Sequence, residues 1–196
     1  MSNIHGKQYA MNAISPMKPW KTWIVRLFFF LLGHFPSLAT RLVNLSFIHF
    51  ARWVIVRRNQ FPRLGHEPPG DLRYDYLLFF SNFNGTWNQY IDAFSAVLST
   101  GLNAIWCWSE KFPGAAPVTP FKDYITEGQY ETDYYYTAYP HATTNDVKAA
   151  HRVAAALETL KQQQNQSPEA FANAYRQFLV KVQGDLGATG EPPVGT

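Results

Sequence analysis

Apolar residues follow two rhythms along this chain. From Trp87 to Leu98 they fall at helical spacing, with Trp87, Tyr90, Ile91, Phe94, Val97 and Leu98 on one stripe and Asn88, Gln89, Asp92, Ser95 and Ser99 on the wet side. Thr86 can cap this helix and Gly101 can end it. A second stripe, Phe171, Ala174, Tyr175, Phe178, Leu179 and Val182, predicts a C-terminal amphipathic helix within 167–185, opened by Ser167 or Pro168. Thr143 and Asp146 form a capping-box-like start for a helix running to about Gln163. A short helical piece is expected near Phe121–Gly128.

The other rhythm belongs to strands. Four segments rich in β-branched and aromatic residues are expected to be strands: Phe47–Val56, Tyr76–Phe83, Leu102–Ser109 and Thr132–Tyr139. In the first, His49, Ala51, Trp53 and Ile55 face one way, and Ile48, Phe50, Arg52, Val54 and Val56 the other. The resulting order is a circular permutation of βαββαβ. The expected fold is therefore α+β, a ferredoxin-like antiparallel four-stranded sheet, circularly permuted, with the helices at 86–100 and 144–163 on one face. The other face needs a cover, because exposed aromatic rows aggregate.

The stretch WKTWIVRLFFFLL, Trp20–Leu32, follows neither rhythm, being apolar on all sides after Arg26. It falls short of the ~20 apolar residues that span a bilayer. A second short helix is expected at 37–45. Together they suit an in-plane membrane anchor, with Lys18, Trp20, Lys21, Trp23, Arg26, Leu27, Phe28, Phe29, Phe30 and Arg41 as its contacts. A signal peptide fits poorly, since the polar leader is long and no cleavage site follows. A transit peptide fits poorly because the same charge pattern continues into a strand. The competing reading is a helix that covers the chain's own sheet or a dimer interface. The divisions are then a disordered 1–17, the basic apolar segment 18–46, an α+β domain 47–163, the helix 167–185 and a disordered tail 186–196.

Charge sharpens this picture. Residues 1–66 hold nine Lys or Arg and no acid, while the remainder holds eight basic residues against fourteen acids. Such asymmetry points to an anionic partner for the N-terminal third. Aromatic residues make up 16% of the chain and charged residues also 16%, well below the usual quarter, which excludes wholesale disorder. A single cysteine, Cys107, excludes an internal disulfide and a cysteine-based zinc site. Flanked by Trp106 and Trp108, it is expected to be buried and inert.

The run YLLFFSNFNGTWNQYIDAF followed by GLNAIW resembles a family of bacterial proteins of the dimeric α+β barrel kind, over about residues 47–157. The resemblance implies a ferredoxin-like fold and a homodimer. Some members of that broad group are haem enzymes, such as dye-decolorising peroxidases and chlorite dismutases. Their peroxidase motif GxxDG is absent here, and no catalytic residue carries over.

Candidate chemistry is sparse. His49, Trp53 and His151 are the residues that a cavity site would use, with haem as its possible cofactor. Glu127, Glu131 and Asp133 read as a solvated strand entrance. Tyr134, Tyr135, Tyr136 and Tyr139 lack interleaved cations, which disfavours nucleic acid. No nucleophile elbow, Walker sequence, dinucleotide fingerprint or zinc pairing occurs. The expected protein is cytoplasmic, peripheral to the membrane, and binds an apolar ligand, an apolar partner or an anionic membrane surface. A cavity enzyme, peroxidase-like and haem-dependent, and a structural homodimer remain as alternatives. No reaction is assigned.

Overall fold

The computed structural model describes residues 8–35, 47–61, 65–68, 70, 72–139 and 142–186. Strand β1 is Gln8–Met17, and a 3₁₀ turn at Pro19–Lys21 leads into helix α1, Thr22–His34. Strands β2, Ile48–Val56, and β3, Asp75–Asn84, follow, then helices α2, Trp87–Trp106, and α3, Val118–Glu127. Strand β4 is only Gln129–Tyr130, and helices α4, Thr144–Lys161, and α5, Pro168–Val182, complete the described chain. The four strands form one antiparallel sheet in the order β2-β3-β1-β4. The α+β class expected from the sequence is therefore present.

Two of the four expected strands, Phe47–Val56 and Tyr76–Phe83, are present as β2 and β3; the other two strands of the sheet come from different segments than expected. Residues 8–17 are not irregular: β1 pairs with β3 along its whole length, from Gln8 opposite Asn84 to Met17 opposite Asp75. Met11, Ala13, Ser15 and Met17 are buried on one side, while Ala10, Asn12, Ile14 and Pro16 lie half-buried on the other. The alternation is real, but small and polar residues carry it, so it escapes a search for β-branched runs.

Leu102–Ser109 is not a strand either. Leu102, Ile105 and Trp106 prolong the stripe of Ile91, Phe94 and Leu98, and α2 runs straight through Gly101. Glycine weakens a helix interior by roughly 1 kcal/mol relative to alanine, and three buried apolar side chains beyond it outweigh that. Thr132–Tyr139 forms no ladder. It runs as a strap bonded chiefly to one side chain of β1: Tyr135 and Thr137 hydroxyls donate to Gln8 Oε1 at 2.9 and 3.1 Å, and Gln8 Nε2 donates to the Tyr139 carbonyl at 3.3 Å. With two expected strands absent and β1 central, the permuted arrangement is not the one observed.

One face of the sheet carries the core. Met11, Ala13, Leu77, Phe79 and Phe83 meet Tyr90, Ile91, Phe94, Leu98, Leu102, Ile105 and Trp106 of α2, with Phe121 and Ile125 of α3 beside them. The rings interlock, with Phe83 stacked on Tyr90 at 4.1 Å and Trp106 edge-on to Phe79 at 5.3 Å. The buried Tyr90 hydroxyl donates to Ser81 Oγ at 2.9 Å, and Ser81 donates in turn to the Phe50 carbonyl at 3.2 Å. Phe28 and Phe29 bring α1 onto this same face. Helix α4 was expected there as well, but it packs principally against α5. Ala156, Leu160 and Val182 are buried in that helical pair, and Arg152 bridges to Asp185 at 2.6 Å.

Both main α-helices start on capping boxes, Thr86 with Gln89 and Thr143 with Asp146. The helix expected at 37–45, Arg41 and the tail beyond Leu186 lie outside the described residues.

The tightest joint is at Gly128. Its carbonyl accepts from the Ile14 amide at 2.8 Å, and a Cβ placed there would sit 2.6 Å from the Ile14 carbonyl oxygen. Gly128→Ala is expected to lower stability by about 2 kcal/mol, the scale of overpacking against unyielding backbone. Urea unfolding checks this; an unchanged midpoint would contradict the close approach of α3's end to β1.

Candidate functional site

Helices α1 and α2 share a layer, yet their outer faces differ in kind. The outer face of α2 is mainly polar, with Asn88, Gln89, Asp92, Thr100 and Asn103 exposed beside Ala96, Gly101 and one large apolar side chain, Val97. Outward from α1 point Trp23, Leu27, Phe30 and Leu31, with Trp20 just before the helix and Phe35 just after it. Trp20 is 62% exposed, Trp23 63% and Phe30 58%. These positions recur every three or four residues, so they form one continuous stripe along the helix. Thr22 and Val25 are buried on the opposite side, and Phe29 packs on Trp53 with ring centres 6.0 Å apart. Contiguous exposed apolar surface of this kind makes this face the candidate contact surface.

The sequence-expected contact residues therefore divide. Trp20, Trp23, Arg26, Leu27 and Phe30 are exposed on α1 or its entrance. Phe28 and Phe29 turn inward to the core. Lys21 is held at 3.4 Å from Glu110, and Lys18 lies at 4.0 Å from the same carboxylate. Lys21 is thus engaged within the chain, whereas Lys18, more exposed and more distant, can still meet an anion.

Arg26 and Arg57 line the same two cavities. The larger, about 600 Å³, is a groove bounded by Phe29, Phe30, Trp53, Val54 and Ile55. The smaller lies beside Thr22, Trp23 and Asp75. Asp75 is buried, and both its oxygens are occupied: the Thr22 hydroxyl donates to one and the Arg58 amide to the other, at 2.8 Å for the latter. Among the described residues neither Arg26 nor Arg57 has an ion-pair partner. Trp53 Nε1 is buried without an acceptor. Arg57 escaped the sequence reading. Its only signal there is an arginine doublet closing an apolar strand in a stretch without acids.

The second face of the sheet is open. Ile14, Leu78, Phe80, Phe50 and Val54 alternate there with Asn12, Asn82 and Arg52, and Arg52 lies over the Phe80 ring at 4.9 Å. A cleft of about 500 Å³ separates this face from the strap. Asn12 Nδ2 donates to Thr132 Oγ1 at 2.7 Å, and Asn82 donates to the Tyr135 hydroxyl, so the strap is tied down from two strands.

His49 is the extra residue of a β-bulge between Ile48 and Phe50. The bulge returns Ile48 to the core side with Ala51, Trp53 and Ile55, contrary to strict alternation. His49 and Trp53 do come together, lining one cavity with Thr144 and Val147. His151 does not join them; it is exposed on α4. Haem ligation needs an imidazole nitrogen open to an apolar slot. His49 Nε2 is buried, and the cleft it borders is lined by Gln8, Asn12 and Asn82, so these residues do not fit haem. His141 lies outside the described residues.

Cys107 is exposed, not buried as expected, because it follows the last turn of α2 on the side away from Trp106. Local desolvation pushes its thiol up, with a backbone hydrogen bond and Lys21 pulling the other way, which disfavours the thiolate form. Glu127, Glu131 and Asp133 are all exposed. No family model, curated protein or solved structure matches the chain, and the site is read from its own chemistry.

Burial lowers the His49 pKa below its ordinary value of 6.5, against a hydrogen bond with Asn84 that raises it. The unfolded chain then binds the proton more tightly. This contribution to stability is complete above 6.5 and is lost as pH falls through the depressed value. Melting temperature is expected to drop over that window, and less steeply in His49→Gln. Parallel profiles for the two proteins would assign the drop to other groups.

Proposed function

We propose that this is a peripheral membrane protein, whose α1 lies in the plane of the membrane surface with its apolar stripe among the acyl chains. The observation that carries the reading is the outer face of α1, which exposes four large apolar side chains (Trp23, Leu27, Phe30 and Leu31) where α2 in the same layer exposes one, Val97. Among the described residues no helix is long and apolar enough to cross a membrane, and an in-plane helix needs no such length. Lys18 and Arg26 flank the stripe, each contributing about 1 kcal/mol near an anionic surface. Trp20, Trp23, Leu27 and Phe30 contribute roughly 1 kcal/mol apiece if about half of each side chain leaves water.

The supporting fold is read as ferredoxin-like without permutation. The chain order β1-α1-β2-β3-α2-α3-β4, in which α3 is an addition before the last strand, taken with the sheet order β2-β3-β1-β4 and with α1 and α2 on one face, favours it. In that arrangement α1 is one of the two layer helices, which exposes its whole outer side.

Full-length protein is expected to co-sediment with vesicles of phosphatidylcholine and phosphatidylglycerol, and less so at high salt. The double variant Trp20→Ala, Leu27→Ala removes about 2 kcal/mol of apolar contact and should weaken partitioning roughly thirtyfold, with an unaltered circular dichroism spectrum. Equal partitioning of variant and parent would sink the membrane reading.

A homodimer through the open sheet face is a second reading, favoured by Phe50, which is 50% exposed on the edge strand β2, and by Val54 exposed on the same strand and face. Sedimentation equilibrium in vesicle-free buffer is expected to give a dimer, and Phe50→Lys a monomer. A wild-type monomer at tens of micromolar would rule this interface out.

A further inference from the structure

We propose that the groove between α1 and β2 holds one molecule of an anionic acyl lipid, with its phosphate on Arg26 and Arg57 and its chain along Phe29, Trp53 and Ile55. This deepens the membrane reading and rests on it for the source of the lipid. Three observations converge on the groove. Two guanidinium groups border the same pair of cavities, and neither has an ion-pair partner among the described residues. Like charges so placed create a local positive potential that an anion relieves, and a guanidinium meets phosphate through two parallel hydrogen bonds.

The nearby carboxylate does not fill that role. Both oxygens of Asp75 are already taken, by the Thr22 hydroxyl and the Arg58 amide. That bonding also sets the site's walls, because it fastens the start of α1 and the end of β2 to the start of β3. A turn then fixes Arg57 itself: its amide donates to Gln60 Oε1 at 3.1 Å, and the Gln60 amide donates to its carbonyl at 2.8 Å.

The remaining wall is apolar and aromatic, which suits a hydrocarbon chain rather than a sugar or nucleotide. Trp53 lines that wall, and its indole Nε1 is buried behind it without an acceptor, so the ring reports on occupation of the groove. The groove opens beside Phe30, on the exposed stripe, so a lipid can enter from the surface on which α1 lies.

The test follows the Trp53 indole proton resonance of the ¹⁵N-labelled full chain, assigned through Trp53→Phe. The probes are dihexanoyl phosphatidylglycerol below its micellar concentration, dihexanoyl phosphatidylcholine, and inorganic phosphate. A saturable shift with phosphatidylglycerol is expected, with both other probes at least about tenfold weaker and Arg57→Gln weakening the lipid about tenfold. Vesicle partitioning of Arg57→Gln should fall only about fivefold, the share of one cation near an anionic surface, well short of the loss in the stripe variant Trp20→Ala, Leu27→Ala. Equal binding of the two lipids, equal binding by Arg57→Gln, or no saturable shift would overturn the proposal. Inorganic phosphate matching phosphatidylglycerol would reduce the site to a free-anion site and overturn the lipid assignment. Failure of the parent to bind vesicles, with the short-chain pattern intact, would sink the membrane reading and leave the groove standing.

Discussion

The ten-residue pairing of β1 with β3 is the constraint on which the rest depends. It places Met11 and Ala13 opposite Ser81 and Phe79, and so supplies the floor on which α2 packs. It also determines where the chain leaves the sheet. β1 ends at Met17 opposite Asp75, and Pro19 bends the chain within two residues into α1. The Thr22–Asp75 hydrogen bond then seats the first turn of the helix. With its origin and inner face both held, α1 has no freedom to roll its apolar outer side into the core.

That geometry separates two explanations for an apolar helix. A helix hydrophobic all round belongs in an interior or a membrane. Here the inner half already has its interior, since Val25 is fully buried and Phe29 meets Trp53. The outer half leaves Trp23, Leu27, Phe30 and Leu31 exposed. The core of the domain cannot cover them, because α2 and α3 fill the remainder of the layer. The sequence's own charge pattern narrows the choice: the apolar stripe is followed and preceded by cations, with no acid before Glu67.

Much of this was legible in the sequence, for identifiable reasons. The helices α2, α4 and α5 carry strong periodicity and side-chain caps, and both signals are local. The apolar run of α1 and its exposed tryptophans were legible too. What failed were cases where tertiary contact overrules local preference. Gln8–Met17 has few strand-forming residues and is held by pairing with β3. Thr132–Tyr139 has many, and finds no free edge beyond the two-residue β4. Gly101 was read as a stop, yet the stripe continued past it. In the site, Arg26 could be named from its apolar surroundings. Arg57 could not, because its meaning arises only when β2 lies beside α1.

The same juxtaposition explains why the cations matter more than their number. Lys21 is drawn to Glu110, and Arg152 and Lys161 have acids of their own. Arg26 and Arg57 both line the groove and the smaller cavity beside it, where the one carboxylate, Asp75, is hydrogen-bonded to a hydroxyl and an amide and makes no ion pair with either arginine. An isolated surface arginine is easily solvated and means little. Two of them at the mouth of an aromatic groove, beside a helix that presents tryptophan to the outside, form an amphipathic site: charge at one end, hydrocarbon surface at the other. A headgroup and chain satisfy both ends at once, whereas water satisfies only the first and an apolar partner only the second.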